Sequence, residues 1–401
     1  GMAGSTHELV DGSSVTVATT GRNHTVPLPA DATSATVTML VDGREVTAKT
    51  DIKSAKPAGG TFDQPLTWPA GTEPTSPTPV TLGLPFARGV VAEPGELALL
   101  ADGARQPLQA DLMARWPDGS VKWAVLSFIA PPRASLRLVR STPTPSQSWL
   151  RIDAQPTAWR VDTGQLAFDL GRQVPAIFAK LGYDRNGDSR VADDERISAA
   201  PLGANVKLEL GDGAFGTLGP PADLVRETDG AVRSVLRLTG PMVGPNGPAG
   251  WSYELRLTLW RGRSDIAVDL GVVRDQAQPT FAPVNALALR LPLEAVGGVR
   301  GSLDGEPEAA AGDADGQWIL QDTEQHFARR DGRTSRTVPG LATVRDDRSQ
   351  AAVLIRDFQQ AYPAGYAIKP DGLHIRLLPP LPADQYKDAA SRPVWGKLYS
   401  W

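Results

Sequence analysis

The chain has 401 residues, room for two to four domains at roughly 100 to 200 residues each, and sets 41 basic against 45 acidic residues for a formal net charge of -4. That near balance excludes a polybasic nucleic-acid binder and an acidic solvating tail. The absence of cysteine excludes a disulfide scaffold, cysteine-ligated zinc, iron–sulfur clusters and thiol catalysis, while 40 Gly and 35 Pro exclude a mostly helical fold.

No apolar run approaches the roughly 18 residues of a membrane-spanning helix, and no signal peptide is read at the start. From the N-terminus, residues 13–19 (SSVTVAT) and 35–41 (ATVTMLV) alternate Val with Ser or Thr, the period of half-buried strands, and Asp42-Gly43 makes a turn. Residues 56–79 shift to Pro, Gly and Thr and read as an extended connector. Three short strands follow at 97–100, 108–113 and 121–128, separated by Pro94-Gly95, Asp102-Gly103 and Pro117-Asp118-Gly119, a spacing that predicts a small barrel or sandwich. A second connector, residues 141–148 (STPTPSQS), leads to strand candidates at 166–170, 206–210, 232–238, 253–259, 266–273, 287–293, 351–355 and 373–377. Their alternation of apolar with charged residues predicts antiparallel strands wet on one face. One short helix is predicted at 175–181 (PAIFAKL), with Pro in the first turn. The expected fold is all-β: an N-terminal strand-rich arm with its connector over 1–79, a small barrel over 80–148, and a large antiparallel sandwich over 149–401.

The strongest chemical signal is DRNGDSRVADDE, residues 184–195. Asp184, Asn186 and Asp188 stand at positions 1, 3 and 5, Arg190 supplies a backbone carbonyl at 7 and Glu195 stands at 12, the spacing that wraps calcium in oxygens. Ser189 replaces the usual Gly at position 6, and Ala192 leaves position 9 to water. The loop resembles the single calcium loops of bacterial secreted proteins such as dockerins, and the expected cofactor is a structural Ca2+; against that stands an acidic turn with no metal. A second cluster, Arg329, Arg330, Arg333 and Arg336, falls on a turn-prone stretch where guanidinium forks could clamp a carboxylate. Against that stands a solvated loop balanced by Asp322, Glu324 and Asp331.

Other motifs dissolve on inspection. Residues 211–216 (GDGAFG) match a dinucleotide fingerprint, but Leu218-Gly219-Pro220-Pro221 cannot open the required helix, so a hairpin is expected. The four histidines, His7, His24, His326 and His374, form no metal or triad motif. Asp265 and Asp269, four apart on a strand, stand about 13 Å apart, too far for a glycosidase pair.

VTLGLPFARGVV at 80–91 and RQPLQADLMARWPDGSVKW at 105–123 together resemble the N-terminal barrel of the exo-rhamnogalacturonan lyase-like (YetA-like) family of polysaccharide lyases. Asp162-Thr163-Gly164, residues 255–273, Trp318 to Gln321 with His326, and Arg356-Asp357-Phe358 with Tyr362-Pro363 are similar to that family's β-sandwich domain. The resemblance implies a helical toroid carrying the catalytic groups. No amphipathic helices are read here to build one, so no catalytic residue is carried over.

Three readings of function stay open. The first is an extracellular or cell-surface carbohydrate-associated protein that binds an acidic polysaccharide. The second is a structural subunit of an extracellular assembly, a homo-oligomer or polymer joined through its termini. The third is an active lyase, which needs a base and a carboxylate-neutralising cation at the sugar. Nucleic acid and membrane spans are not expected partners.

Overall fold

The computed structural model describes residues 62–142, 148–188, 190–197, 205–210, 213–275, 284–293, 298–323, 326–335 and 340–380, and before these the backbone of five strands. Those five are β1 (Glu8–Asp11), β2 (Ser14–Thr19), β3 (Arg22–Pro27), β4 (Ser34–Val41) and β5 (Arg44–Asp51). The first three form an antiparallel meander and the last two a hairpin. Among the described residues there is no α-helix, only 3-10 turns at Pro94–Glu96 and Asp193–Glu195.

The chain divides into two compact units, Gly1–Trp149 with Gly230–Arg233, and Leu150–Asp229 with Ser234–Trp401. The first holds a barrel of β6 (Asp63–Leu66), β7 (Thr78–Pro85), β8 (Leu97–Ala101), β9 (Ala104–Gln106), β10 (Gln109–Arg115), β11 (Val121–Ala130) and β12 (Leu136–Arg140). They form two sheets, ordered β10-β11-β7 and β6-β12-β8-β9. Strand β6 lies inside the stretch read as a connector, so the barrel takes in residues from 63 onward. The sheets are joined by packing: Leu97 and Leu138 meet Val121, Ala124 and Leu126, while Leu99 and Leu136 meet Phe128 and Ala130. Full burial of a Leu contributes about 1.5 to 3 kcal/mol, and Leu99, Leu126 and Leu138 are each wholly buried.

Between β6 and β7 the barrel has no ladder, and proline explains why. Phe86 N–H donates to the Lys122 carbonyl, so by antiparallel alternation the nitrogens of residues 79, 81, 83 and 85 face away from β11. Two of those four are Pro79 and Pro85. Arg140 N–H donates to the Phe62 carbonyl, which by the same rule turns Pro65 of β6 away from β12 and toward the seam. Proline has no N–H to give, so this edge cannot zip. A cavity of about 300 Å³ remains there, lined by Phe62, Leu66, Leu82, Leu84 and neighbours.

The hairpin Trp116-Pro117-Asp118-Gly119-Ser120 turns β10 into β11. Gly119 takes the positive φ of 81° that the turn requires. Its polar groups reach back to the segment after β7. Asp118, buried, accepts from Ser120 N–H and Oγ–H and from Arg88 Nε; Ser120 Oγ accepts from Gly89 N–H; Trp116 Nε1 donates to the Phe86 carbonyl. Burial pushes the Asp118 carboxyl up, but the Ser120 and Arg88 donors more than offset it and hold its pKa below the ordinary value. The two segments that carried the family resemblance are therefore one contact in space.

The second unit begins with the sheet β13 (Arg151–Ala154), β14 (Ala158–Asp162), β15 (Leu166–Gly171) and β16 (Ala179–Tyr183), paired in that order. The expected helix at 175–181 is not formed. Phe178 and Lys180 have φ of 64° and 49°, left-handed values that a right-handed helix cannot hold, and residues 179 onward pair with β15. The Asn205 amide takes both the N–H (3.0 Å) and the C=O (2.6 Å) of Ile177, the groups a helix would have used itself.

Next come β17 (Val206–Leu210), β18 (Phe215–Leu218), β19 (Asp223–Asp229), β20 (Arg233–Gly244), β21 (Gly247–Trp260), β22 (Ile266–Arg274) and β23 (Val284–Leu291). After them run β24 (Arg300–Leu303), β25 (Ala309–Ala310), β26 (Gln317–Thr323), β27 (His326–Arg329), β28 (Thr334–Ser335), β29 (Leu341–Arg345), β30 (Gln350–Leu354), β31 (Ala364–Lys369) and β32 (Gly372–Leu378). Twelve of these make one sheet, ordered β22-β21-β20-β18-β17-β23-β32-β31-β26-β27-β28 with β19 beside β20. A four-stranded sheet, β25-β24-β29-β30, makes a further layer, with Gly301 against Ile368 of β31. The apolar alternation seen in the sequence is realised: Tyr253, Leu255, Leu257 and Leu259 of β21 are buried and the residues between them are half-buried. The glycine-rich stretch 211–216 is the β17–β18 hairpin, closed by Leu210 N–H to Ala214 O, with residues 211 and 212 outside the described set.

Candidate functional site

The loop 184–195 is wound by its own side chains. Asp184 Oδ1 accepts Gly187 N–H at 2.7 Å, Asn186 Oδ1 accepts Asp188 N–H at 2.8 Å, and Asp188 Oδ1 accepts Arg190 N–H at 2.8 Å. The last two are Asx turns, at positions 3 and 5, and Asp184 at position 1 reaches one residue further along. Glu195, buried, closes the loop: its carboxylate accepts N–H bonds from Arg185, Asn186 and Ala192. The Ala192 and Arg185 donors are the main reason its pKa lies below the ordinary glutamate value, against the pull of burial. Gly182 packs beneath, where a Cβ would come within 2.3 Å of Val191 Cγ1. Among the described residues no three His, Asp or Glu side chains converge closely enough to hold a metal ion. Ser189 lies outside the described residues.

The arginine cluster meets carboxylates at every described position. Arg330 forms a two-pronged pair with Asp313 at 2.7 and 2.6 Å, which pulls the Asp313 carboxyl far below its ordinary range. Arg333 bridges Asp331 and Glu306 at 2.7 and 3.1 Å. Arg329 lies over the Phe327 ring, 3.6 Å from both Asp304 and Glu306. Arg336 lies outside the described residues. An incoming uronate would have to displace an internal carboxylate here.

Asp304 is the unusual member of this group. Its φ is 62°, its side chain is 7% exposed, and its Oδ1 has no hydrogen-bond partner. Burial pushes its pKa up to about 6, with Glu306 adding to the rise while the Gly340 N–H and Arg329 oppose it. No sequence pattern announces this, because the burial comes from layers brought together over long separations.

Two features with binding chemistry escaped the sequence reading. In the barrel, Trp123 is 42% exposed on the outer face of β11, opposite Pro85 and Ala114. Its indole lies across Gly83, where a Cβ would stand 2.8 Å from Nε1. Leu112 and Met113 of β10 are also exposed. In the large sheet, Arg376 of β32 is half-buried and has no ion-pair or hydrogen-bond partner among the described residues. The two histidines whose side chains are described are paired, His326 with Asp322 at 2.6 Å and His374 with Asp371 at 2.8 Å; His24 lies on β3 and His7 outside the described residues.

Residues 63–150 match the family described as PcRGLX-like N-terminal RIFT barrel domain, the stretch that forms the barrel above. Over 214 residues the chain is 29% identical to the uncharacterized protein YetA of Bacillus subtilis (strain 168). That alignment covers 51% of this chain and 24% of the Bacillus protein, so the matched region spans about a quarter of its relative's length. The barrel is thus similar to the N-terminal domain of exo-rhamnogalacturonan lyase-like proteins.

The buried Asp304 gives a pH dependence of definite sign. Its folded-state pKa is raised, so its contribution to stability is complete below the unfolded value of 3.8 and is lost as pH rises through about 6. Asp304→Asn removes that loss, and its melting temperature relative to wild type should rise by about 2 to 4 °C between pH 4 and pH 7. An offset that is the same at both pH values contradicts the assignment.

Proposed function

We propose that this chain is a carbohydrate-associated β protein that binds an acidic polysaccharide outside the cell. The observation that carries the reading is Trp123: an indole laid over a glycine on the outer face of the barrel, with its other side in solvent. Such a ring offers the apolar face of a sugar a large contact at little cost in conformational entropy. The similarity of residues 63–150 to the lyase-like N-terminal barrel supports the same class of ligand. Gly83 is part of the device, since any side chain there would lift the ring off the sheet.

The test is affinity electrophoresis of the full chain in gels containing pectic polymers. Wild type should be retarded, and Trp123→Ala should lose much of the retardation, by about 1 kcal/mol or more per ring removed. Gly83→Val should act in the same direction by displacing the ring. Wild type running freely in every uronate-rich polymer contradicts the reading. Unsaturated-uronate absorbance appearing in the same mixtures would instead favour a lyase.

We further propose that calcium closes the 184–195 loop, with oxygens from Asp184, Asn186, Asp188, the Arg190 carbonyl and Glu195. What supports this is the 1-3-5-7-12 spacing together with the Asx winding that turns those side chains onto the loop. Binding requires Glu195 to exchange backbone donors for the cation. A ligand at 100 times its Kd stabilises by about 2.7 kcal/mol, so chelation should lower the melting temperature by about 5 °C or more. Asp184→Ala should abolish that sensitivity. Identical melting with chelator and with excess calcium contradicts the proposal.

A further inference from the structure

Charge does not balance on one face of the large sheet. Side chains directly opposite each other in neighbouring strands share a face, and every second residue follows them. By register, Ala367 of β31 lies between Trp318 of β26 and His374 of β32, and Gly365 lies between Leu320 and Arg376. Beyond β32 on the same face, Ala288 stands opposite Arg376 and Arg290 opposite His374. Strand β31 therefore contributes a column of small residues between one wall bearing Trp318 and another bearing Arg376. At about 4.8 Å per strand the walls stand about 10 Å apart at Cα.

The cations of this face differ in how they are paired. Arg290 and His374 share Asp371, at 2.9 and 2.8 Å. Arg376, flanked across both neighbouring strands only by Gly365 and Ala288, has no such partner among the described residues, nor has Lys369 at the end of the same column. Burial alone holds the Arg376 pKa below the ordinary arginine value. Elsewhere in this unit guanidiniums are paired: Arg256 of β21 is gripped by Glu227 and Glu254, and Arg330, in the turn after β27, by Asp313. A half-buried cation whose desolvation no anion among the described residues offsets is a position where an external anion gains most. The planar fork of Arg376 suits a carboxylate taken bidentately, and Trp318, half-buried, presents a ring about 12 Å away on the diagonal.

We propose that this face is the acidic subsite of the polysaccharide-binding reading, Arg376 holding a uronate carboxylate and Trp318 the face of a sugar ring. The inference rests on that reading and names where the ligand's charge is recognised.

The experiment compares polygalacturonate with the same polymer methyl-esterified, which keeps the sugar and removes the charge, using the full chain and titration calorimetry. Wild type should bind the charged polymer about tenfold more tightly than the ester. Arg376→Gln should erase that preference while leaving binding to the ester unchanged, Arg376→Lys should restore part of it, and Trp318→Ala should weaken binding to both. Arg376→Gln should also melt no lower than wild type, because its guanidinium holds no partner among the described residues. If it melts lower, Arg376→Lys, which keeps the charge and loses the fork, carries the test, and a preference as large as wild type's overturns the bidentate assignment. If wild type binds the charged polymer and Arg376→Gln binds it equally, the subsite is overturned while glycan binding stands. If wild type binds neither polymer, the glycan reading itself fails and the subsite with it.

Discussion

A β-strand at the edge of a sheet must have its backbone groups paired, covered or removed, and in the barrel that constraint is met by proline. Pro79 and Pro85 on β7 and Pro65 on β6 stand at the alternating positions that face the seam, so the ladder stops there on both sides. What closes the barrel instead is side-chain packing across two sheets and the polar lock between the Trp116–Ser120 hairpin and residues 86–92. Leaving the seam unzipped keeps the apolar cavity beside it and fixes β7 as a strand with one neighbour. Trp123 depends on that arrangement, because its indole rests on Gly83 of the same strand.

The larger unit solves a different problem, the placement of many arginines in a sheet with few lysines. Most are neutralised at once by carboxylates on adjacent strands or turns. The Arg329 to Arg333 stretch, which in the sequence has the look of an anion clamp, is in the structure a set of ion pairs that staples turns together. Exposed pairs of this kind contribute little each, and their consequence is electrostatic: they leave no spare charge where they stand. Among the described residues, spare charge is instead found at Arg376, whose cross-strand neighbours are Gly365 and Ala288.

Much of the fold was legible because period-2 alternation survives in the sequence wherever one face is buried, as in Tyr253 to Leu259, and because Pro-Gly, Asp-Gly and Pro-Asp-Gly mark the corners. Short strands such as Asp63–Leu66, Ala158–Asp162 and Ala364–Lys369 were missed for different reasons. The first carries a proline at an edge, where proline is allowed; the second alternates Trp159 and Val161 with Arg160 and Asp162 but over too few residues to stand out; the third is buried on both faces and does not alternate. The segment 175–181 misled because its local propensity is helical, while Asn205 and the left-handed residues Phe178 and Lys180 impose a tertiary alternative. Of the candidate sites, the 184–195 spacing was readable as a local pattern. Trp123 over Gly83, and Arg376 without a partner among the described residues, are products of strand pairing across long separations, which no local window contains.

Amide hydrogen exchange resolved by residue tests most directly whether proline halts the barrel's ladder at the seam. On β7, Leu82 and Leu84 have N–H groups directed at β11 and should exchange slowly, while Thr81 and Gly83, directed at the seam, should exchange orders of magnitude faster. Equal protection of all four amides would mean that the seam is laddered after all, and would contradict this account of how the barrel closes.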